Sequence, residues 1–253
     1  GSVKEDLATE KRISITPETV KKFTDLRLSV SLEKSYGEHL GISDEEYKNK
    51  GANFHSSAKE VLKKSEIILK VNCPSTDEIN LIKDTSILIG QFDPFLNKDM
   101  LNQLIKKGIH VFSLNLLPRI TRAQSMDVLS SQANLAGYRA VIESVEAFGK
   151  AVPMMMTAAG TITPAKVLVI GAGVAGLQAI ATAKRLGGIV SATDVRTTAK
   201  EQVESLGGKF LSVDSAENLE TKSGYAKEAG EDFKKKQAEL LKNSIKKNDI
   251  VIC

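Results

Sequence analysis

The sequence predicts an α/β protein made of two doubly wound parallel-sheet domains that are joined by a long helix. In both halves, short apolar segments alternate with amphipathic helical segments, which is the pattern of parallel strands covered by helices on both faces. Residues 121–148, between the halves, contain no proline and carry apolar side chains near helical spacing. A length of 253 residues also suits two domains better than one.

The expected domains are an N-terminal α/β domain at residues 3–120, a linking helix at 121–150 and a second domain at 151–253. Gly1 and Ser2 look like a cloning remnant and are therefore left out of the first domain. The chain stops after the fourth strand expected in the second domain, so we expect that domain to be incomplete at its carboxyl end.

The first half contains four predicted strands and two well-marked helices. The strands are 28–32, 67–71, 87–89 and 109–114. One helix is expected to begin at Thr16, since threonine can cap free amides and Pro17 suits the first turn. A second helix carries the apolar stripe of residues 100–105 and is expected to end at Gly108.

The second half repeats the alternation from residue 166 onward. The predicted strands are 167–170, 189–193, 210–213 and 250–253, and the predicted helices are 175–186, 197–206 and 231–246. Residues 215–230 are polar and contain two glycines, which predicts a surface loop. Residues 153–164 include three consecutive methionines and are expected to form a packed connector, because methionine often fills irregular gaps in a core.

The composition argues against several functional classes. The formal net charge of +4 comes from 35 basic and 31 acidic residues, and aromatic residues make up 5%, so nucleic-acid binding has no compositional support. Cys73 and Cys253 have no partner at metal-ligand or redox spacing, and no metal site is expected. No apolar run approaches the roughly 20 residues that a transmembrane helix needs.

A glycine-rich turn follows the first strand of the second half. The predicted strand at 167–170 leads into Gly171, Gly173 and Gly176 in the pattern GxGxxG, and a predicted helix follows. In a Rossmann-like fold the first glycine makes the tight turn, the second lets the backbone approach a pyrophosphate, and the third lets helix and strand pack closely. The helix amides and dipole then favour the phosphate charge. This pattern predicts a dinucleotide site.

Asp194 ends the next predicted strand, where the fingerprint places the acid that binds the adenosine ribose hydroxyls. Such a carboxylate repels a 2'-phosphate, so NAD(H) is expected in preference to NADP(H). Arg196 is a complication, because an arginine at this position can accommodate that phosphate. The acid carries more weight because its position follows the fingerprint.

The most recognisable motifs lie between residues 118 and 253. They read PRITRAQSMDVLSSQANLAGYRAV at 118–141, then PMMMTAAGT, GAGVAGLQAIATAKRLGG, ATDVR, KEQVESLGGKF and GYAKE. These segments resemble the NAD(H)-binding component of proton-translocating NAD(P) transhydrogenases, within the alanine dehydrogenase and transhydrogenase family. The likeness extends more loosely back to Lys4, and RITRAQSMD is its most specific segment.

The resemblance implies a nicotinamide site and its residues. Arg119, Asp127 and Ser130 would orient the dihydronicotinamide and its carboxamide, while Gln124 would reach toward a second nucleotide on a partner domain. On spacing alone, an ion pair between Arg119 and Asp127 that caps the long helix is the simpler interpretation. Gly224 and Tyr225 would belong to a loop that folds over the nucleotide. The implied cofactor-binding set is Arg119, Ile120, Thr121, Gly171, Gly173, Val174, Gly176, Asp194, Val195, Arg196, Gly224, Tyr225 and Gln237.

The implied activity is direct hydride transfer between NADH and NADP⁺ bound on a partner domain, coupled to proton movement across a membrane. Because hydride passes between two nicotinamide rings, the site needs near-attack geometry and excluded water, with no general acid or base. The implied partners are the NADP(H)-binding domain, the membrane domain and a second copy of the chain in a homodimer. The implied location is peripheral on a membrane, at the cytoplasmic face in bacteria or at a mitochondrial or other organellar inner membrane in eukaryotes.

Two alternatives remain open. Alanine dehydrogenases resemble the same architecture, and Arg12 and Lys70 fall where that family keeps substrate-carboxylate and catalytic groups. That chemistry also wants a histidine at the strand end near Ile89, where this sequence reads ILIGQFDPF. The other alternative is an NAD-binding regulatory domain without turnover.

Overall fold

The computed structural model describes residues 1–118, 120–213 and 231–253 of the chain. The chain forms two compact units, Gly1–Met126 and Asp127–Cys253, and each has the α/β architecture with parallel strands that the sequence predicts. None of the helices in the described ranges combines the length and the apolar character that a membrane span requires.

The first unit alternates strands and helices. The strands are β1 (Val30–Glu33), β2 (Ala52–His55), β3 (Ile67–Leu69), β4 (Ile87–Gly90) and β5 (His110–Ser113). The α-helices are α1 (Pro17–Asp25), α2 (Asp44–Lys48), α3 (Ala58–Lys64), α4 (Thr76–Leu81) and α5 (Lys98–Lys106). Strand β1 pairs with β2, and β4 pairs with β3 and β5, all in parallel.

Residues 1–3 lie between these two groups of strands. The Ser2 amide donates to the Ser31 carbonyl at 3.0 Å, and the Leu69 amide donates to the Gly1 carbonyl at 2.9 Å. Ser2 is fully buried, and its hydroxyl lies 2.8 Å from the Tyr36 hydroxyl. Leaving Gly1 and Ser2 out of the fold is therefore wrong, because their backbone joins β1 to β3.

The four strands predicted in the first half are present, with ends shifted by one or two residues. Strand β2 was not predicted, because Ala52–His55 is short and half polar. The Thr16 hydroxyl caps α1 by accepting a hydrogen bond from the Thr19 amide at 3.3 Å, as the sequence predicts. Gly108 has a φ of 68° just after α5, which is the expected glycine end of that helix.

The second unit begins with α6 (Val128–Phe148). This helix starts later than predicted, because Thr121–Met126 forms a 3-10 helix and the Asp127 carboxylate caps α6 by accepting from the Ser130 amide at 3.0 Å. Helix α6 packs along α7 (Val174–Arg185). The contact is so close that a Cβ added at Gly137 would overlap the Ala175 carbonyl. We therefore describe α6 as belonging to the second unit.

A short antiparallel hairpin of β6 (Met155–Thr157) and β7 (Gly160–Ile162) occupies the region predicted as a packed connector. Met154, Met155 and Met156 are 58%, 50% and 71% exposed. The prediction of a packed connector is wrong, because an antiparallel pair satisfies its own backbone hydrogen bonds and needs no core beneath its side chains.

The centre of the second unit is one four-stranded parallel sheet. Its strands are β8 (Lys166–Ile170), β9 (Ile189–Thr193), β10 (Lys209–Phe210) and β11 (Ile250–Ile252), accompanied by α8 (Ala199–Ser205) and α9 (Glu231–Ile245). The order is β10-β9-β8-β11, so the chain runs outward on one side of β8 and later returns on the other side. The loop after β8 therefore lies at the switch point where open α/β sheets bind ligands. The surface loop predicted at 215–230 lies outside the described residues.

Candidate dinucleotide site

The turn after β8 has the backbone geometry that a phosphate-binding glycine turn requires. Gly171 has a φ of 96°, in the left-handed region that favours glycine. The Gly171 amide donates to the Thr193 carbonyl at 2.8 Å, which fixes the turn to the end of β9. The first glycine of the motif is thus needed for the bend of the chain.

The other two glycines of the motif differ in the space around them. A Cβ added at Gly176 would overlap the Gly171 carbonyl, so a side chain there would push α7 away from the turn. A Cβ added at Gly173 would meet nothing within 4 Å. Gly173 is also exposed, so its backbone is open to a group as large as a pyrophosphate.

The N-terminus of α7 is suited to an anion. The helix begins at Val174, with Gly173 in the capping position, where no side chain accepts a hydrogen bond from the first amides. No acidic residue lies in the first turn of the helix. The free amides and the positive end of the helix dipole therefore favour a bound phosphate group.

Asp194 lies immediately after β9 and faces the glycine turn. Its Oδ2 accepts from the Ala172 amide at 2.7 Å, and its Oδ1 accepts from the Arg196 amide at 2.8 Å. The Arg196 guanidinium adds two hydrogen bonds, Nε to Oδ1 at 2.9 Å and Nη2 to Oδ2 at 3.0 Å. The sequence analysis missed Ala172, although the middle residue of GxG is where an amide contact to the acid could be sought.

The hydrogen bonds keep the Asp194 carboxyl ionised although its side chain is only 7% exposed. Burial raises the pKa of this carboxyl, but the hydrogen bonds from Arg196 and Ala172 together lower it by more. The resulting pKa lies below the ordinary value of 3.8. A negatively charged acceptor is therefore held at the place where the ribose hydroxyls are expected.

Asp127 and Ser130 lie together at the start of α6. The Ser130 hydroxyl donates to Asp127 Oδ2 at 2.6 Å, in addition to the capping hydrogen bond from the Ser130 amide. Gln124, Ile120 and Thr121 belong to the first unit and are exposed. This arrangement gives the capping role expected of Asp127 in the simpler interpretation, but that interpretation also needs Arg119.

Three predicted site residues, Arg119, Gly224 and Tyr225, lie outside the described residues. Gln237 is half-buried on α9, and Val195 is half-buried between Asp194 and Arg196. Val174 is 42% exposed at the start of α7, beside the open backbone of Gly173. The structure thus brings together the adenosine half of the predicted site from the glycine turn and the end of β9.

The residues that resemble the amino-acid site of alanine dehydrogenases are engaged with acidic side chains. Lys70 is almost fully buried, and its Nζ lies 2.7 Å from Glu78 Oε1 and 3.4 Å from Glu5 Oε2. Arg12 makes a two-pronged contact with Glu10, at 2.9 and 2.6 Å. A cavity of about 400 Å³ borders Lys70, but the carboxylates of Glu5 and Glu78 also line it and would repel a substrate carboxylate.

The described residues contain no cluster of three or more histidine, cysteine or acidic side chains that could hold a metal ion. His39 and His110 are exposed in the first unit, and His55 is half-buried with its Nε2 3.3 Å from the Ser31 hydroxyl. None of the three histidines lies on β4, which ends at Gly90.

The glycine turn, the uncapped helix and the acid after β9 define a dinucleotide-binding α/β protein. The chain belongs to the alanine dehydrogenase/PNT family: the family's N-terminal domain matches residues 1–136 and its C-terminal domain matches residues 140–253.

Within this family the chain is more similar to transhydrogenase subunits than to alanine dehydrogenases. It is 50% identical to an NAD(P) transhydrogenase alpha subunit of Rhodospirillum rubrum, over 98% of this chain and 67% of that protein. The crystal structure of transhydrogenase from Sinorhizobium meliloti matches with a TM-score of 0.80 and 49% identity, over 84% of this chain and 64% of that chain. An alanine dehydrogenase of Methanococcus maripaludis is more distant, at 32% identity over 78% of this chain and 53% of that protein. The chain thus spans about two thirds of these two transhydrogenase relatives.

Proposed function

We propose that this chain is the NAD(H)-binding component of a proton-translocating transhydrogenase and that it presents NADH to NADP⁺ held by a partner domain. The observation that carries the proposal is the combination of an open glycine turn with an ionised acid at the end of the next strand. Similarity to an NAD(P) transhydrogenase alpha subunit at 50% identity supports the same activity.

The described residues fit a dinucleotide without rearrangement of the backbone. The open face of Gly173 and the free amides of α7 would bind the pyrophosphate, and the Asp194 carboxylate would bind the adenosine ribose. A negative carboxylate repels a 2'-phosphate, so the site would prefer NAD(H) to NADP(H). NADH supplies the hydride, and the chain contributes binding, orientation and exclusion of water.

At the nicotinamide end, the proposal assigns orientation to the residues of the RITRAQSMD segment. Asp127 and Ser130 are held rigid by their mutual hydrogen bonds at the start of α6, which suits them to fix a carboxamide group. Gln124 is exposed, as a residue that reaches toward a partner's nucleotide would have to be. Arg119, Gly224, Tyr225 and Gln237 complete the set by resemblance.

The proposed partners are an NADP(H)-binding domain, a membrane domain and a second copy of this chain. The hairpin β6–β7 supports the homodimer, because Met154, Met155, Met156 and Ile162 form an exposed apolar group on it. Through its membrane partner the chain would lie peripherally on a membrane, at the bacterial cytoplasmic face or on a mitochondrial or other organellar inner membrane.

The test of this proposal is to combine the chain with a transhydrogenase NADP(H)-binding domain, NADH and an oxidised NADP analogue whose reduced form absorbs at a distinct wavelength. We expect reduction of the analogue only when both proteins are present. NADH binding without transfer would favour a regulatory NAD-binding domain. NADH oxidation driven by ammonia and pyruvate would favour amino-acid chemistry at the cavity beside Lys70.

A further inference from the structure

The Asp194 carboxylate has no acceptor position left for a ribose. A carboxylate offers about four lone-pair positions. Two of those on Asp194 accept from the Ala172 and Arg196 amides, and the other two accept from Nε and Nη2 of the Arg196 guanidinium. A ribose diol that binds this acid must therefore displace a donor that is already there.

The guanidinium is the donor that can leave. The two amides are fixed, one by the glycine turn and the other by the backbone after β9, whereas a side chain can rotate away. The Arg196 side chain is 22% exposed, so it has a route toward solvent. Its Nη2 also donates to the Ala172 carbonyl at 3.2 Å, which holds the guanidinium against the turn.

The guanidinium also has the shape of the group that would replace it. Its two N–H groups approach the two carboxylate oxygens side by side, one nitrogen to each oxygen. The 2'- and 3'-hydroxyls of an adenosine ribose are likewise two adjacent donors, and the fingerprint acid receives them in the same two-pronged way. The same two acceptor positions serve both groups.

We propose that Arg196 is a resident competitor for the adenosine ribose, bound to Asp194 until the ribose diol takes its place. The inference rests on the dinucleotide site of the proposed function and assigns to Arg196 a second task there. Once displaced, the guanidinium stays tethered two residues from Asp194, where it can pair with a 2'-phosphate. Arg196 therefore lowers the affinity for NADH and narrows the preference for NADH over NADPH.

The test uses three nucleotides that differ only at the adenosine ribose: NADH, its 2'-deoxyadenosine analogue and NADPH. Dissociation constants are measured by calorimetry for the wild-type chain, Arg196→Gln and Arg196→Lys. Glutamine removes the charge and the fork, whereas lysine keeps the charge and loses the fork. Thermal unfolding of each variant confirms that it is folded.

We expect Arg196→Gln to bind NADH about tenfold more tightly, which is the size of one hydrogen bond to a charged group. The 2'-deoxy analogue should gain less, because it makes fewer contacts to the carboxylate, and NADPH should bind more weakly. Arg196→Lys should also raise the ratio of NADH affinity to 2'-deoxy affinity. A purely structural role for Arg196 would shift all three nucleotides in one direction.

The competitor role is wrong if either variant leaves the ratio of NADH to 2'-deoxy affinity unchanged or lowers it. A lysine variant that behaves as the wild type would overturn it as well, because charge alone would then explain the glutamine result. Failure of the proposed site itself gives a different result: in that case Asp194→Asn leaves NADH affinity unchanged and no variant distinguishes NADH from its 2'-deoxy analogue.

Discussion

Gly173 and Gly176 are three residues apart, yet one added methyl group should affect them in opposite ways. Gly173 has a φ of −77° and open space at the Cβ position, so Gly173→Ala should fold normally. Its methyl group would stand where the pyrophosphate approaches, and we expect NADH affinity to fall by about ten- to a hundredfold. Calorimetric titration with NADH measures this change.

Gly176→Ala is the matched variant. Its methyl group would overlap the Gly171 carbonyl, which should lower the free energy of unfolding by about 1–3 kcal/mol. Denaturant unfolding of both variants separates loss of binding from loss of stability. Equal NADH affinity in Gly173→Ala and the wild type would show that the pyrophosphate lies elsewhere.

The Asp194 carboxyl makes a prediction about pH. Its folded-state pKa lies below 3.8, so NADH affinity should be constant from neutral pH down to about pH 5 and should fall only in more acid solution. A carboxyl whose pKa is depressed by folding stabilises the fold above its unfolded pKa, and this contribution is lost as the pH falls through the folded pKa.

In Arg196→Gln the largest of the effects that lower the Asp194 pKa is gone, while burial still raises it. We therefore expect the acid loss of NADH affinity to move to higher pH in this variant. Titrations at several pH values below 6 measure the shift. An acid limb at the same pH in both proteins would mean that Asp194 does not control binding.

At the scale of single residues, the sequence predicts those features that spacing alone determines. The three motif glycines and Asp194 stand at fixed distances along the chain, and the backbone at Gly171 and Gly176 has the geometry that their positions require. The engagement of Asp194 by Arg196 could not be predicted, because a long side chain has many rotamers and its choice depends on atoms brought near by the fold.

At the scale of elements, the well-predicted strands are those whose side chains are buried on both faces. Strand β9 has the predicted bounds and β8 begins one residue early, since a continuous apolar run marks a central parallel strand. Strand β2 and the hairpin β6–β7 were missed because they are short and partly exposed, so burial imposes no pattern on them. The start of α6 was missed because Asp127 caps the helix six residues after the predicted start.

The packing of α6 on α7 gives a prediction at this scale. Replacing a helical glycine by alanine usually stabilises a helix by about 1 kcal/mol. Gly137→Ala should instead destabilise the second unit by about 1–3 kcal/mol, because its methyl group would overlap the Ala175 carbonyl. Thermal or denaturant unfolding measures the difference.

Ala136→Gly is the control for helix propensity, since Ala136 is exposed on the same helix. It should lose about 1 kcal/mol through propensity alone. A stabilised Gly137→Ala protein would contradict the close packing of α6 on α7.

At the scale of the whole molecule, the sequence predicts two α/β units because each half repeats the strand and helix alternation of a parallel sheet. The proposed hydride transfer also needs a second nucleotide, and this chain offers one glycine turn of the GxGxxG kind. The acceptor must therefore be held by another protein, and a general acid or base is unnecessary because no proton moves at the reacting carbon.

The most direct measurement of this claim follows a labelled hydride. The chain, a transhydrogenase NADP(H)-binding domain and NADP⁺ are incubated in ordinary water with NADH that carries deuterium at the transferable position of the nicotinamide ring. The account predicts that the NADPH formed contains the deuterium, detected by mass spectrometry. NADPH without the label, or bound NADH that transfers nothing to NADP⁺, would contradict it.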